Sequence, residues 1–280
     1  MSGGGVNLKR LFLSRQIYED CPSMEMTLPT HVIANYVLLD HCRGPSRMRV
    51  LGNGSHGNVM QLEYEGGHRI ALKNQQATPH ALTSLRVAAA LKSARVVKFR
   101  PLVFRDRLLT FMSVVQGDLE TQRKEAGVFE WRKKHADTFI RFLEELLACL
   151  GARGAYYPDM KLANVAYCND SGNVSFSVID VDSFNGHIAT FPLREEWTIY
   201  HYASAAEGLI QTKYACAVTA LLYHRPNDWP GFAYGKRYRS TEANVDVLRQ
   251  FCTTKAIAGS ATAKFILGIA DEVTSAINAV

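Results

Sequence analysis

The stretch from Phe139 to Asp180 constrains this chain most, because it sets three kinds of pattern in a fixed order. Phe139, Phe142, Leu143, Leu146, Leu147 and Leu150 recur at helical spacing, one apolar face of a helix ending near Gly151 or Gly154. A polar loop follows over residues 156–164 and carries Asp159, Lys161 and Asn164. Two short β-type runs come next, 165–167 and 174–179, joined by the turn formers Asn169-Asp170-Ser171-Gly172-Asn173. Asp180 stands directly after the second run. The helix stripe by itself reads as core packing. A loop of charged and amide side chains fixed between a helix and a hairpin is a place where rigid elements aim polar groups.

Upstream, residues 59–64 and 68–73 read as the strands of a hairpin turning at Glu65-Gly66-Gly67. A helix is expected over 81–92, then two further strands over 96–104 and 108–115. Ahead of them lie a Gly-rich N-terminal extension, 1–27, and a lead-in over 28–49 with no clean period. Beyond Gly117 the character turns helical, and after the hairpin it stays so apart from loops near Pro192 and over 226–235. A β-rich first part and a helical second part predict an α+β chain of two lobes, 28–116 and 117–280, joined near 116–119. The sequence contains no internal repeat.

Composition narrows the class. Of 280 residues 47% are hydrophobic, enough for a sizeable core. Charges interrupt every apolar stretch before the roughly 20 residues a membrane span needs, so no membrane association is expected. The N-terminus lacks the basic-then-apolar order of a secretory leader. Six cysteines, Cys21, Cys42, Cys149, Cys168, Cys216 and Cys252, fall without metal-ligand spacing and read as reduced thiols, which places the chain inside the cell, in cytoplasm or nucleus. The net charge of +6 is spread along the chain with no aromatic-interleaved basic run, which argues against a nucleic-acid partner.

Gly52, Gly54, Gly57 and Val59 fit G-x-G-x-x-G-x-V, a spacing that lets a strand-turn-strand backbone approach phosphate oxygens. Alone, it is also the pattern of an ordinary Gly-rich hairpin. A dinucleotide site puts a helix directly after such glycines, whereas here a second strand follows and ends Ile70-Ala71-Leu72-Lys73. Glycine loop, strand lysine, Asp159-x-Lys161-x-x-Asn164, hairpin and Asp180 stand in the order of the protein kinases, and the chain resembles a divergent, compact member of the eukaryotic-type Ser/Thr group. Compact kinases of this form occur among large DNA viruses and bacterial effectors. The resemblance implies a two-lobed kinase-like fold that uses ATP and Mg²⁺ (or Mn²⁺) to phosphorylate a protein substrate. It implies Asp159 as base for the acceptor hydroxyl, Lys161 and Lys73 as cations on the phosphates, and Asn164 and Asp180 as metal ligands. It further implies nucleotide contacts from Gly52, Gly54, Gly57, Val59, Ala71 and Lys73, with the backbone of Ser113 and Val115 facing the adenine. Ala205-Ala206-Glu207 resembles the A-P-E that closes the activation segment of these enzymes.

The pattern also breaks. There is no Asp or Glu between Lys73 and Asp106, where the family carries a glutamate for the lysine. Pro158 stands where many kinases have the arginine that reads a phosphorylated loop. Val181 and Asp182 replace the phenylalanine and glycine of D-F-G, with Asp182 either a further ligand or a solvated charge, and Gln211 replaces an aspartate. Lys161, two after Asp159, favours Ser/Thr transfer by resemblance. Two alternatives are a pseudokinase that binds nucleotide without transfer and a kinase for a small molecule. Thr190, Thr198, Tyr200 and Tyr202 read as ordinary hydroxyls of the segment after Asp180. The oligomeric state is not written in the sequence.

Overall fold

The computed structural model describes residues 47–54, 57–63, 67, 69–91, 93, 95–104, 106–194, 202–224, 241–253 and 259–278. The expected extension 1–27, most of the lead-in, Glu65 and Gly66 of the first turn, Thr198, Tyr200 and the loop 226–235 lie outside the described residues. Described residues up to Pro79, with Val97–Val114, form one compact unit, and His80–Val96 with the residues from Val115 onward form another.

The first unit is one antiparallel sheet in the order β1-β2-β3-β5-β4: β1 (Arg47–Gly54), β2 (Gly57–Glu63), β3 (Arg69–Gln76), β4 (Phe99–Phe104) and β5 (Arg107–Ser113). Leu108, Leu109, Thr110, Phe111 and Met112 are all buried, as expected where both faces of a strand are covered. β4 lies at the edge of the sheet, where Pro101 with its missing N–H is tolerated. This strand starts later than its apolar run suggests. It begins at Phe99, and Val96 instead makes an isolated parallel bridge with Val178 inside the second unit. β5 likewise ends at Ser113, two residues short of the expected 115.

The second unit begins with α1 (Pro79–Leu91), whose proline sits at the first helical position. Ala81, Ser84, Leu85, Ala88 and Leu91 form its buried stripe. The unit continues through β6 (Gly117–Asp118), α2 (Leu119–Gln122), α3 (Val128–Lys134) and α4 (Ala136–Gly151). In α4 Phe139, Phe142, Leu143, Leu146 and Leu150 are buried as the periodicity predicts, while Leu147 is half-buried. α4 holds the far end of α1: Cys149 Sγ lies 3.7 Å from the Leu91 carbonyl, Arg153 donates to the Ala90 carbonyl, and Arg95 pairs with Glu145. Two orphan carbonyls of α1's last turn are satisfied in this way.

β7 (Val165–Asp170) and β8 (Asn173–Val178) make the expected hairpin, with β6 added beside β7. β7 runs three residues further than the sequence suggests, and β8 is shifted one residue toward the turn, ending at Val178. Asn169 and Asp170 pair with Val174 and Asn173, leaving only Ser171 and Gly172 as the turn, at φ 51° and 91°. Two successive positive φ values define the tight turn whose twist suits a hairpin. α5 (Ala205–His224) is buried on nearly every side, and α6 (Thr241–Cys252) and α7 (Ala261–Asn278) pack against it. Among the described residues no helix is long and apolar enough to cross a membrane.

Candidate active site

In the sheet unit the register decides which side chains share a face. Val59 lies opposite Lys73, Lys73 opposite Thr110, and Ala71 opposite Met112. Directly opposed residues of antiparallel strands project to the same side, so Val59, Ala71, Lys73, Thr110 and Met112 form one face, with Gly52 beside Val59. Gly54 and Gly57 pair across the end of the β1–β2 hairpin. Gly57 has φ 157°, and a Cβ there would collide with the Asn74 carbonyl oxygen. Only glycine lets β2 lie that close to β3. Ser113 closes β5 with its N–H on the Lys98 carbonyl (3.0 Å), and Val115 opens the second unit's longer stretch.

In the helical unit the loop after α4 draws its polar residues together. Asp159 is buried and receives donors on both carboxylate oxygens. Lys161 Nζ donates to Oδ2 at 2.7 Å, Asn164 Nδ2 to the same oxygen at 3.2 Å and to the Asp159 carbonyl at 2.8 Å. The other oxygen, Oδ1, accepts the Thr190 hydroxyl at 2.5 Å and the Thr190 N–H at 3.1 Å. Lys161 Nζ reaches Thr190 Oγ1 as well, at 3.2 Å. A hydroxyl thus sits between a carboxylate and an ammonium. By sequence Thr190 is one ordinary loop hydroxyl among several; the fold brings it to Asp159 across 31 residues. Tyr202, from the same set, is buried with its ring edge-on to Tyr156 at 5.4 Å, and burial raises its phenol above the usual range.

Asp180 follows β8 at the start of the short 3₁₀ turn Val181–Ser183. Ser183 Oγ donates to its Oδ2 at 2.7 Å, and the Ile179 N–H donates to the Asn164 carbonyl at 3.0 Å, tying the strand end to the Asn164 turn. Tyr157, which no sequence pattern singles out, connects the two aspartates. Its hydroxyl donates to the Asp180 carbonyl at 3.2 Å, its ring packs on Phe184 at 4.7 Å, and its N–H goes to Thr212 Oγ1 of α5 at 2.8 Å. Burial first, then the charges of Asp180, Asp159 and Asp182, push the Tyr157 phenol well above its ordinary range, so it stays a donor. Thr219 of α5 anchors the same loop at the Met160 carbonyl (3.1 Å).

The structure therefore brings Asp159, Lys161, Asn164 and Asp180 together in one unit, and arrays Gly52, Val59, Ala71 and Lys73 on one face of the other. The donor set suits a hard cation. Asn164 spends its amide nitrogen on Asp159, which leaves a carbonyl oxygen, and Asp180 adds a carboxylate. Mg²⁺ is commonly held by one or two such oxygens together with waters and substrate phosphates.

One expected motif takes on a local role. Ala205-Ala206-Glu207 is the first turn of α5. Glu207 Oε2 accepts the Ala203 N–H at 2.8 Å, and Ser204 Oγ accepts the Glu207 N–H at 3.2 Å, so the pair acts as a helix N-terminal capping device.

Solved structures similar to this chain include two double-substitution variants of the kinase domain of Mycobacterium tuberculosis PknI. One is 17% identical with a TM-score of 0.53, over 80% of this chain and 94% of that one. The other is 18% identical with a TM-score of 0.52, over 81% and 94%. At such identity it is the fold that is shared, and the chain has a protein-kinase-like α+β fold, an antiparallel sheet unit and a helical unit. No protein-family model matches the chain. No curated protein matches it either.

Proposed function

We propose that this chain is an ATP-dependent kinase that phosphorylates Ser and Thr hydroxyls of proteins. The observation that carries the reading is the Thr190 hydroxyl held between Asp159 and Lys161, because it marks a place where a hydroxyl is bonded to a base and a cation at once. An acceptor hydroxyl brought to this carboxylate gives its proton to Asp159 as its oxygen attacks the γ-phosphorus and ADP departs. Lys161 offsets charge on the transferred group, and Lys73, on the same sheet face as Val59 and Ala71, serves the α- and β-phosphates. Asn164 and Asp180 would hold Mg²⁺ or Mn²⁺, which would neutralise phosphate charge.

The acid-free helix α1 favours a second reading, nucleotide binding without transfer, since the sequence supplies no glutamate where the family keeps one. One assay separates the two. Purified protein is incubated with labelled ATP, Mg²⁺ or Mn²⁺ and generic protein substrates, beside Asp159→Asn, Asp180→Asn and Lys73→Met. The kinase reading expects label on protein Ser or Thr and a loss of about 100-fold or more in each variant. Tight nucleotide binding with no transfer establishes the second reading, and label only on a small molecule moves the acceptor class.

A further inference from the structure

Two buried side-chain amides grip the stretch 190–193. Gln211 of α5 is wholly buried and uses both ends of its amide there: Oε1 accepts the Leu193 N–H at 2.9 Å, and Nε2 donates to the Phe191 carbonyl at 2.8 Å. Asn244 of α6 donates its Nδ2 to the Leu193 carbonyl at 3.0 Å. The stretch is thereby held much as a neighbouring strand would hold it. Phe191 and Leu193 bury their side chains on either side of Pro192. Immediately upstream, Thr190 delivers its N–H and its hydroxyl to Asp159.

Kinase segments in this position are commonly ordered by a phosphate paired with arginine. Beside the base of this chain stands Pro158, which offers no side-chain donor. The neutral amides of Gln211 and Asn244 occupy the backbone groups that would otherwise need such ordering.

We propose that Gln211, seconded by Asn244, is the positioning residue that sets Thr190 against Asp159, so that the acceptor side of the site is ordered without any phosphate on the segment. This rests on the kinase reading above for its role in transfer, but the ordering itself is measurable without transfer. Gln211 acts through the backbone of 191 and 193 rather than on nucleotide or acceptor.

The test is amide hydrogen exchange on full-length protein freed of phosphate by phosphatase and checked by mass. The amides of Thr190 and Leu193 are expected to exchange as slowly as those in the middle of α4. In Gln211→Leu they should speed up by about tenfold or more while the α4 amides do not change. In the transfer assay, phosphate-free wild-type protein should keep its activity within about twofold, and Gln211→Leu should lower kcat/KM for the protein acceptor about tenfold or more with KM for ATP nearly unchanged. Fast exchange at Thr190 and Leu193 in phosphate-free wild type, slowed by phosphorylation, overturns the proposal, and this measurement decides it even if Gln211→Leu does not fold. Unchanged exchange in Gln211→Leu overturns it too. Slow exchange with no transfer from any form sinks the kinase reading and leaves the ordering intact.

Discussion

At the scale of single residues, Tyr157 shows how a buried phenol takes part in a charged site without touching the chemistry. Its hydroxyl joins the Asp159 loop to the Asp180 carbonyl, and its N–H is pinned to α5 by Thr212. Because burial and three nearby carboxylates hold the phenol protonated, it should contribute no ionisation to a pH–rate profile between about pH 6 and 9. Tyr157→Phe removes one buried hydrogen bond, so a stability loss of about 1 kcal/mol is expected. If the chain transfers phosphate as proposed, loosening this tether on the Asp180 backbone should lower transfer about tenfold with the shape of the pH profile unchanged. Thermal denaturation and a pH series check the two parts. A profile that gains or loses a limb would show that Tyr157 itself titrates in the reaction.

At the scale of elements, α5 is where the Asp159 loop is set, and Gly208 lies close against Tyr156 at its start. A Cβ at Gly208 would lie 2.5 Å from the ring of Tyr156, the first residue of the loop. In an exposed helix Gly→Ala gains up to about 1 kcal/mol. Here Gly208→Ala should instead cost about 1–3 kcal/mol through overpacking and weaken transfer by moving the loop. Denaturant unfolding settles the sign, and a stabilised variant would refute the close contact.

What the sequence makes legible follows from range. The α4 stripe and the hairpin are local patterns and form where the sequence suggests, with Leu147 only half-buried, and the Asp159-x-Lys161-x-x-Asn164 stretch follows α4 as a short loop and 3₁₀ turn. β7 is longer than expected, and β8 starts one residue earlier, because Asn169 and Asp170 are turn formers by composition. The Gln116 side chain holds the Asn169 backbone from the far side, at 2.9 and 3.1 Å. Val96 looks like strand because it is apolar and β-branched, and its bridge to Val178 cannot be seen from neighbours in sequence. Thr190 and Gln211 are hidden for the same reason, since their partners lie 31 and 20 residues away. Ser204-x-x-Glu207 is readable as a helix start, but its likeness to A-P-E points to a different role.

At the scale of the molecule, the helical unit contains a buried guanidinium with no ion-pair partner among the described residues. Arg132 of α3 is 1% exposed, donates to the Leu119 and Tyr223 carbonyls, and lies 5.2 Å over the Tyr223 ring. Burial lowers its pKa, with the nearby Tyr223, Glu120 and Glu125 opposing the shift. It joins the start of α2 to the end of α5. Arg132→Ala should cost about 3 kcal/mol or more, from a cavity and two stranded carbonyls. Arg132→Met, which fills the space and removes the desolvated charge, should cost clearly less. Equal losses, measured by unfolding at neutral pH, would mean that the hydrogen bonds outweigh the volume.

The chain leaves the sheet unit after Pro79, returns to it at Val97 and leaves again after Val114. During synthesis α1 therefore emerges well before Cys149 and Arg153, at and just past the end of α4, which partner the carbonyls of its last turn. At roughly 5–20 residues per second the interval is on the order of 3–12 s. For that time the Ala90 and Leu91 carbonyls lack these partners. A single cut after Val114 would release all five strands of the sheet, but only with α1, a helix of the other unit, still joining β3 to β4.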